Sequence, residues 1–114
     1  MSSCLFCQIA EKKKPSRVVY EDEQMFAFED INPQAPVHIL IVPKRHVPGL
    51  DQASQEDRQM LGQLLLVAQK IARDRGIHES GYRLLVNQGP DAGQSVFHMH
   101  FHLLGGRVLH WPPG

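Results

Sequence analysis

Residues 98–104 read HMHFHLL, a stretch in which histidine alternates with apolar residues. On a β-strand successive side chains point to opposite faces, so His98, His100 and His102 would share one side. Neighbours on that side lie roughly 6.5–7 Å apart. The apolar side chains between them would pack on the other face, beneath a helix. The pattern predicts a strand over residues 96–104 with an imidazole-lined surface that faces a cleft.

The rest of the chain predicts two helices and four further strands. A short helix is expected within residues 4–10 and a long one from Ser54 to Gly76, because Ser54 with Asp57 resembles a capping box and Gly76 is a natural stop. The apolar stripe of the long helix, at 3–4 residue spacing, is Leu61, Leu64, Leu65, Ala68, Ile71 and Ala72. The strands are expected at residues 17–21, 25–29, 37–42 and 82–86.

The order of these elements sets the fold class. Short links between most of the strands favour antiparallel neighbours, with the long helix on one face. We therefore expect an α+β fold with a mostly antiparallel five-stranded sheet. The 114 residues fit a single domain spanning 1–114.

Composition and charge exclude several classes of function. Twelve basic residues cancel twelve acidic ones, so no net field attracts nucleic acid or a membrane surface. No stretch approaches the ~20 apolar residues of a membrane span. Residues 1–6 lack the charged start and apolar run of a secretion signal. We expect a cytoplasmic protein that binds neither nucleic acid nor membrane.

Two chemistries suit three histidines on one face: metal ligation and phosphate chemistry. Zinc accepts imidazole readily, yet no carboxylate lies within the strand to assist. The preceding loop offers backbone N–H groups at Gly89 and Gly93, the Ser95 hydroxyl and the Asn87 amide. Such donors suit an anion, which favours the phosphate interpretation.

The histidine run matches His-φ-His-φ-His-φ-φ, where φ is apolar, and so resembles the signature of the histidine triad (HIT) family. The resemblance extends from about Phe6 to Gly114 and is greatest to the histidine triad nucleotide-binding branch, the purine nucleoside phosphoramidases. The other matching stretches are residues 30–36 (DINPQAP), His38, residues 42–46 (VPKRH), 93–95 (GQS), 105–107 (GGR) and 111–114 (WPPG).

The resemblance implies that His100 is the nucleophile that attacks the α-phosphorus of a nucleoside monophosphate derivative. Neutral imidazole can attack only if one nitrogen holds the proton, and a carbonyl acceptor would set that tautomer. A nucleotidyl-histidine would form and be cleaved by water. His102 and His38 would bind the phosphoryl oxygens or hold His100, and Ser95 would contact the phosphate and the departing group.

The resemblance also implies a nucleotide pocket. Asp30 would accept the ribose hydroxyls, and Asn87, Gly93 and Gln94 would lie at the phosphate or ester side. The purine would be walled by Phe6, Ile9, Phe28, Ile31 and Leu40. Simpler interpretations stay open from the residues alone: Asp30 as a turn residue, Ser95 as a strand-entry hydroxyl and His38 as a core histidine.

Cys4 and Cys7 form a C-x-x-C pair, and they are the only cysteines. No βαβ pattern follows them, which argues against a thioredoxin-like site. Some members of the wider family combine such a pair with two histidines, which here correspond to His46 and His98. The resemblance thus implies structural zinc on these four residues, with unligated thiols as the alternative. Zinc would then be no cofactor of the reaction, and His98 would be structural.

Trp111 and the two prolines after it cannot extend a strand well. The resemblance implies a homodimer with one continuous sheet, in which this tail reaches the partner's active site. A frayed tail is the alternative.

The sequence is compatible with three functions. The first is hydrolysis of purine nucleoside 5′-phosphoramidates or aminoacyl-adenylate-type adducts through nucleotidyl-His100. The second is a non-catalytic nucleotide-binding scaffold. The third is a dinucleoside polyphosphate hydrolase or nucleotidyl transferase on the same fold. The tail sequence favours the first.

Overall fold

The structure, a computed structural model, describes residues 3–114. Met1 and Ser2, which begin the stretch inspected for a secretion signal, lie outside the described residues. The elements in chain order are α1 (Leu5–Ala10), β1 (Val18–Glu21), β2 (Met25–Glu29), β3 (Val37–Pro43), α2 (Arg58–Asp74), β4 (Tyr82–Val86) and β5 (Phe101–Gly105).

The five strands form one sheet in the order β1-β2-β3-β5-β4, and every neighbouring pair is antiparallel. This confirms the α+β class and the five-stranded antiparallel sheet. The register pairs Leu40 of β3 with His102 of β5. Because alternate residues share a face, His38 lies diagonally across from His102 on the same side of the sheet.

The two faces of the sheet have different coverings. On one face α2 packs against a core that includes Ile39, Ile41 and Leu103. On the other face α1 contributes Phe6 and Ile9 to a smaller cluster; its sheet members are Phe26, Phe28, Leu40 and Val42. The period of two in the strands thus separates a helix-covered core from the face that carries the histidines.

The long helix begins after a 3₁₀ turn, Gln55–Asp57, and the predicted capping box between Ser54 and Asp57 is present. Gly76 has a φ of +73°, a left-handed conformation that glycine adopts without strain. The predicted apolar stripe is wrong at Leu65, which is 50% exposed. Val67 is buried instead, because it lies three residues after Leu64 and so on the same side of the helix.

The prediction that the last strand begins at residue 96 is also wrong, since β5 begins at Phe101. The physical reason lies in the neighbouring strand. β3 ends at Pro43, which has no N–H to continue the ladder. The Met99 N–H bonds instead to the Val47 carbonyl at 2.6 Å. Residues 96–100 therefore precede the sheet, and Phe97 is 65% exposed although Met99 is buried.

Within residues 3–114, none of the helices has the length and apolarity that crossing a membrane requires.

Candidate functional site

A cleft of about 930 Å³ opens beside α1, on the sheet face opposite α2. It is bounded by α1, the ends of β2 and β3, the loop after β2, and residues 95–102. Most of the predicted nucleotide-site residues line it: Phe6, Ile9, Phe28, Asp30, Ile31, His38, Leu40, Ser95, His100 and His102.

Four predicted residues lie outside this lining: Asn87, Gly93, Gln94 and Trp111. The buried Gln94 amide serves the loop itself. Its nitrogen donates to the Pro48 carbonyl at 2.8 Å and to the Val96 carbonyl at 3.2 Å, and its oxygen accepts from the Gly89 N–H. Trp111 is 81% exposed.

The geometry around His100 fixes its tautomer. Nδ1 lies 2.7 Å from the His98 carbonyl oxygen, which can only accept, so Nδ1 carries the proton. Nε2 is then left with a lone pair at the cleft. The Phe6 ring packs edge-on against this imidazole with the ring centroids 4.9 Å apart. This is the arrangement that a neutral nitrogen nucleophile needs.

His38 and His102 form a hydrogen-bonded chain whose direction is set by the backbone. The Gln34 N–H donates to His38 Nδ1 at 3.0 Å, so neutral His38 carries its proton on Nε2. That nitrogen lies 2.9 Å from His102 Nδ1 and 3.4 Å from the Asp30 carboxylate. His102 Nδ1 is therefore the acceptor, and neutral His102 keeps an N–H on Nε2.

Burial keeps these imidazoles neutral. It lowers the pKa of His102 to about 4, with His100 and His38 adding repulsion to a positive charge there. Burial likewise lowers the pKa of His38 and of His100, although Asp30 opposes the shift in both. Near pH 7 the site therefore presents uncharged rings with fixed donors and acceptors.

Asp30 has two roles. One oxygen accepts from the Asn32 N–H at 2.8 Å, the contact of a turn residue. The other oxygen faces His38, and the residue lines the cleft. The turn interpretation and the site interpretation are thus compatible.

Cys4, Cys7, His46 and His98 meet in a second cluster, and their ligand atoms all lie within 4.8 Å of one another. Cys4 Sγ is 3.3 Å from His98 Nδ1, and Cys7 Sγ is 3.3 Å from His46 Nδ1. The two Nδ1 atoms are 3.2 Å apart. Tetrahedral zinc with two sulfur and two nitrogen ligands requires edges of about 3.3–3.6 Å between nitrogen and its neighbours.

Protonation supports a metal in this cluster. His98 Nε2 lies 2.7 Å from the Pro43 carbonyl, so it holds the proton and Nδ1 presents a lone pair to the sulfurs. A carbonyl on the outer nitrogen is the usual partner of a metal-bound histidine. The residues therefore fit a zinc ion. They would hold it as a closed four-ligand site, which suits a structural role.

Asp30, His38 and His102 also bring possible ligand atoms together, but they do not fit a metal. The Gln34 N–H occupies His38 Nδ1, which leaves the proton on the nitrogen that would have to bind the ion. The group is a hydrogen-bond chain instead.

Sequence reasoning missed part of the cleft. Leu5, Val96 and the residues before β1, Pro15–Arg17, also line it. Val96 had a signal, because it shares the parity of His98 and His100. The Gln34 N–H and the Pro43 carbonyl had none, since side-chain identity does not report a backbone contribution.

The chain is similar to known proteins along nearly its whole length. A family model described as "HIT domain" matches residues 11–109. A "14 kDa zinc-binding protein" of Zea mays is 52% identical over 115 residues, covering 99% of this chain and 89% of that protein.

Solved structures agree. The crystal structure of a HIT family hydrolase from Legionella pneumophila has a TM-score of 0.97 and 47% identity, covering 98% of this chain and 100% of that one. A Zn-bound histidine triad family protein from Mycobacterium smegmatis has a TM-score of 0.80 and 33% identity, covering 92% and 76%. Because the family model matches most of the chain and relatives at 47–52% identity cover nearly all of it, the chain belongs to the HIT domain family.

Proposed function

We propose that the protein hydrolyses purine nucleoside 5′-phosphoramidates or aminoacyl-adenylate-type adducts. The observation that carries the proposal is His100: its Nδ1–H is held by the His98 carbonyl, and its Nε2 lone pair is open to a cleft of nucleotide size. Relatives named as HIT family hydrolases support a hydrolytic activity.

The reaction proceeds in two displacements. His100 Nε2 attacks the α-phosphorus and the bond to the leaving group breaks. In a phosphoramidate this is the P–N bond, and the leaving amine takes a proton relayed from solvent; in an aminoacyl adenylate it is a P–O bond, and the carboxylate leaves without a proton. The Ser95 hydroxyl can relay the proton to the amine, because Ser95 is exposed and lines the cleft. Neutral His102 keeps its Nε2–H, since losing it would leave an imidazolate. Water then attacks the phosphorus of nucleotidyl-His100, releases the monophosphate and restores the proton.

The neighbouring groups stabilise the charge that develops on phosphorus oxygens. His102 Nε2–H is an oriented donor, since His38 occupies its other nitrogen. Such a donor is worth roughly 3 kcal/mol in the transition state. The Asp30 carboxylate accepts the ribose hydroxyls, and the apolar wall around Phe28 and Leu40 receives the purine.

We further propose that Cys4, Cys7, His46 and His98 hold a structural zinc ion and take no part in the reaction. The edge lengths of the cluster and the maize zinc-binding relative support this. Because thiolate ligands persist in a reducing compartment, we assign the protein to the cytoplasm.

The proposal includes a homodimer. Within residues 3–114 the only strand that pairs with β4 is β5, so the outer edge of β4 is open to a second copy. Arg83 of β4 donates to the His110 carbonyl at 3.1 Å and so keeps the tail beside that edge. The exposed Trp111 would then contact the partner's cleft.

The decisive test is a fluorogenic adenosine 5′-phosphoramidate with wild type, His100→Ala and, as a matched control, His78→Ala at the surface. We expect turnover to fall by about a thousandfold or more in His100→Ala alone. Mass spectrometry of quenched wild type should find the nucleotide on His100. Full turnover by His100→Ala contradicts the role of His100 as nucleophile. Preferential cleavage of diadenosine polyphosphate would favour a dinucleoside polyphosphate hydrolase instead.

A further inference from the structure

We propose that Cys4, Cys7 and His46 are positioning residues for the nucleotide site: when they bind metal together with His98, they hold α1 and residues 96–100 in the arrangement that nucleotide binding requires. The inference rests on the proposed function, because it assigns these residues a part in binding the same nucleotide.

The first observation concerns the backbone before β5. Residues 96–100 carry the nucleophile, yet they lie outside the sheet ladder. They are tethered by hydrogen bonds from the Met99 N–H to the Val47 carbonyl at 2.6 Å, from the Gln94 amide to the Val96 carbonyl, and from the His98 side chain to the Pro43 carbonyl. A segment with so few backbone bonds depends on its side-chain anchors for a fixed position.

The second observation concerns α1. It has six residues, too few for a helix that is stable by itself. Phe6 sits between the two cysteines and forms a wall of the cleft. Its ring lies 5.6 Å from Phe28, 5.9 Å from His98 and 4.9 Å from His100, measured between centroids. Metal bound to Cys4 and Cys7 would therefore add a second anchor for α1, beside the packing of Phe6 and Ile9.

The two observations converge on His98. Its imidazole contacts Cys4 Sγ at 3.3 Å and Cys7 Sγ at 3.5 Å, while its carbonyl accepts from His100 Nδ1 at 2.7 Å. One residue thus joins the metal cluster to the nucleophile, and α1 joins the same cluster to the purine wall. Loss of the ion would release both at once.

Thermodynamic linkage makes the proposal quantitative. If metal raises the affinity for nucleotide by some factor, nucleotide must raise the affinity for metal by the same factor. A role confined to overall stability predicts no such reciprocity once the protein is folded.

The first experiment measures binding of adenosine 5′-monophosphate by calorimetry. It compares zinc-loaded wild type, chelator-stripped wild type, Cys4→Ser/Cys7→Ser and the surface control His78→Asn, with circular dichroism to verify the sheet. We expect binding about tenfold weaker or worse in the stripped and doubly substituted proteins. Zinc should restore the stripped wild type but not the double variant, and His78→Asn should match wild type.

The second experiment needs no metal-free protein and decides the matter if that form unfolds. Cobalt-substituted wild type gives thiolate-to-metal absorption bands that report the cluster directly. In the fully cobalt-loaded protein, saturating adenosine 5′-monophosphate should shift these bands, because the cluster and the nucleotide site are joined through His98 and α1.

Equal nucleotide affinity in loaded and stripped folded protein, or cobalt bands that the nucleotide leaves unchanged, overturns the inference alone. Failure of zinc-loaded wild type to bind the nucleotide overturns the proposed function along with it.

Discussion

His100 and His102 show how one residue type is given two tasks by its surroundings. His100 donates its Nδ1–H to the His98 carbonyl and keeps a lone pair on Nε2. His102 accepts a hydrogen bond from His38 on Nδ1 and keeps an N–H on Nε2 as a donor. Neither needs a charge, and burial lowers both pKa values so that neither acquires one near neutral pH.

Asp30→Asn tests the proposed ribose contact. The amide keeps an oxygen for the Asn32 N–H but loses the charge that strengthens hydrogen bonds from ribose hydroxyls. We expect KM for an adenosine phosphoramidate to rise by about tenfold to a hundredfold. The matched control is the 2′,3′-dideoxy substrate, for which the two proteins should have nearly equal KM values. An equal rise with both substrates would contradict the ribose role.

The low pKa of His102 predicts acid sensitivity of the fold. The unfolded chain takes up this proton near pH 6.5 and the folded chain only near 4, so the unfolded state binds more protons between those values. The free energy of unfolding should therefore fall as the pH drops through this window, by up to about 3 kcal/mol from this residue. His102→Asn should have a shallower dependence in urea titrations at each pH. The prediction would be refuted if the free energy of unfolding changed with pH by the same amount in both proteins.

The loop between β4 and β5 is stabilised by one buried side-chain amide, that of Gln94. Gln94 bonds to backbone groups of Pro48, Val96 and Gly89, and thereby fixes the approach to Ser95. Its exposed neighbour Gln88 makes one bond, from the Asp51 N–H at 2.8 Å. Gln94 thus stabilises the loop from its buried side, and Gln88 bonds it from the exposed side.

Gln94→Ala should lower the free energy of unfolding by about 2–4 kcal/mol, because it removes the three hydrogen bonds that this buried side chain makes to the backbone. Gln88→Ala, the matched control, should cost about 1 kcal/mol or less. Denaturant titration measures both. Similar costs would mean that water replaces the Gln94 amide, contrary to its buried position.

Much at the level of elements could be predicted from sequence. The strand alternation, the capping box at Ser54 and the Gly76 stop are local signals, and the sheet and α2 followed from them. The start of β5 could not be predicted, because it depends on Pro43 in a neighbouring strand. The family resemblance supplied most cleft residues, but the loop glutamine and the tail required coordinates to be located.

At the scale of the whole molecule, an open strand edge and an exposed tail lie side by side. β4 has an unpaired edge within the described residues, and Arg83 holds the His110 carbonyl next to it. We expect light scattering after size exclusion to give twice the mass of one chain. A single-chain mass at micromolar concentration would contradict the dimer.

Complementation tests whether the tail acts on the partner. One chain carries His100→Ala with an intact tail, and the other keeps His100 but lacks residues 111–114. If the tail completes the opposite cleft, mixing the two inactive or impaired chains should restore about half of the wild-type activity per dimer. No recovery in verified mixed dimers would place the tail's effect within its own chain.

Three of the four imidazoles in and beside the cleft have their proton positions dictated by main-chain atoms: the Gln34 N–H, the Pro43 carbonyl and the His98 carbonyl. Alanine scanning does not test these main-chain groups, because shortening a side chain leaves them in place. Positions 34 and 43 can therefore drift in sequence without loss of the chemistry, as long as the path of the chain is kept. Removing such a group takes a different tool, for example a backbone ester at position 34, which replaces the N–H by an oxygen and leaves every side chain in place.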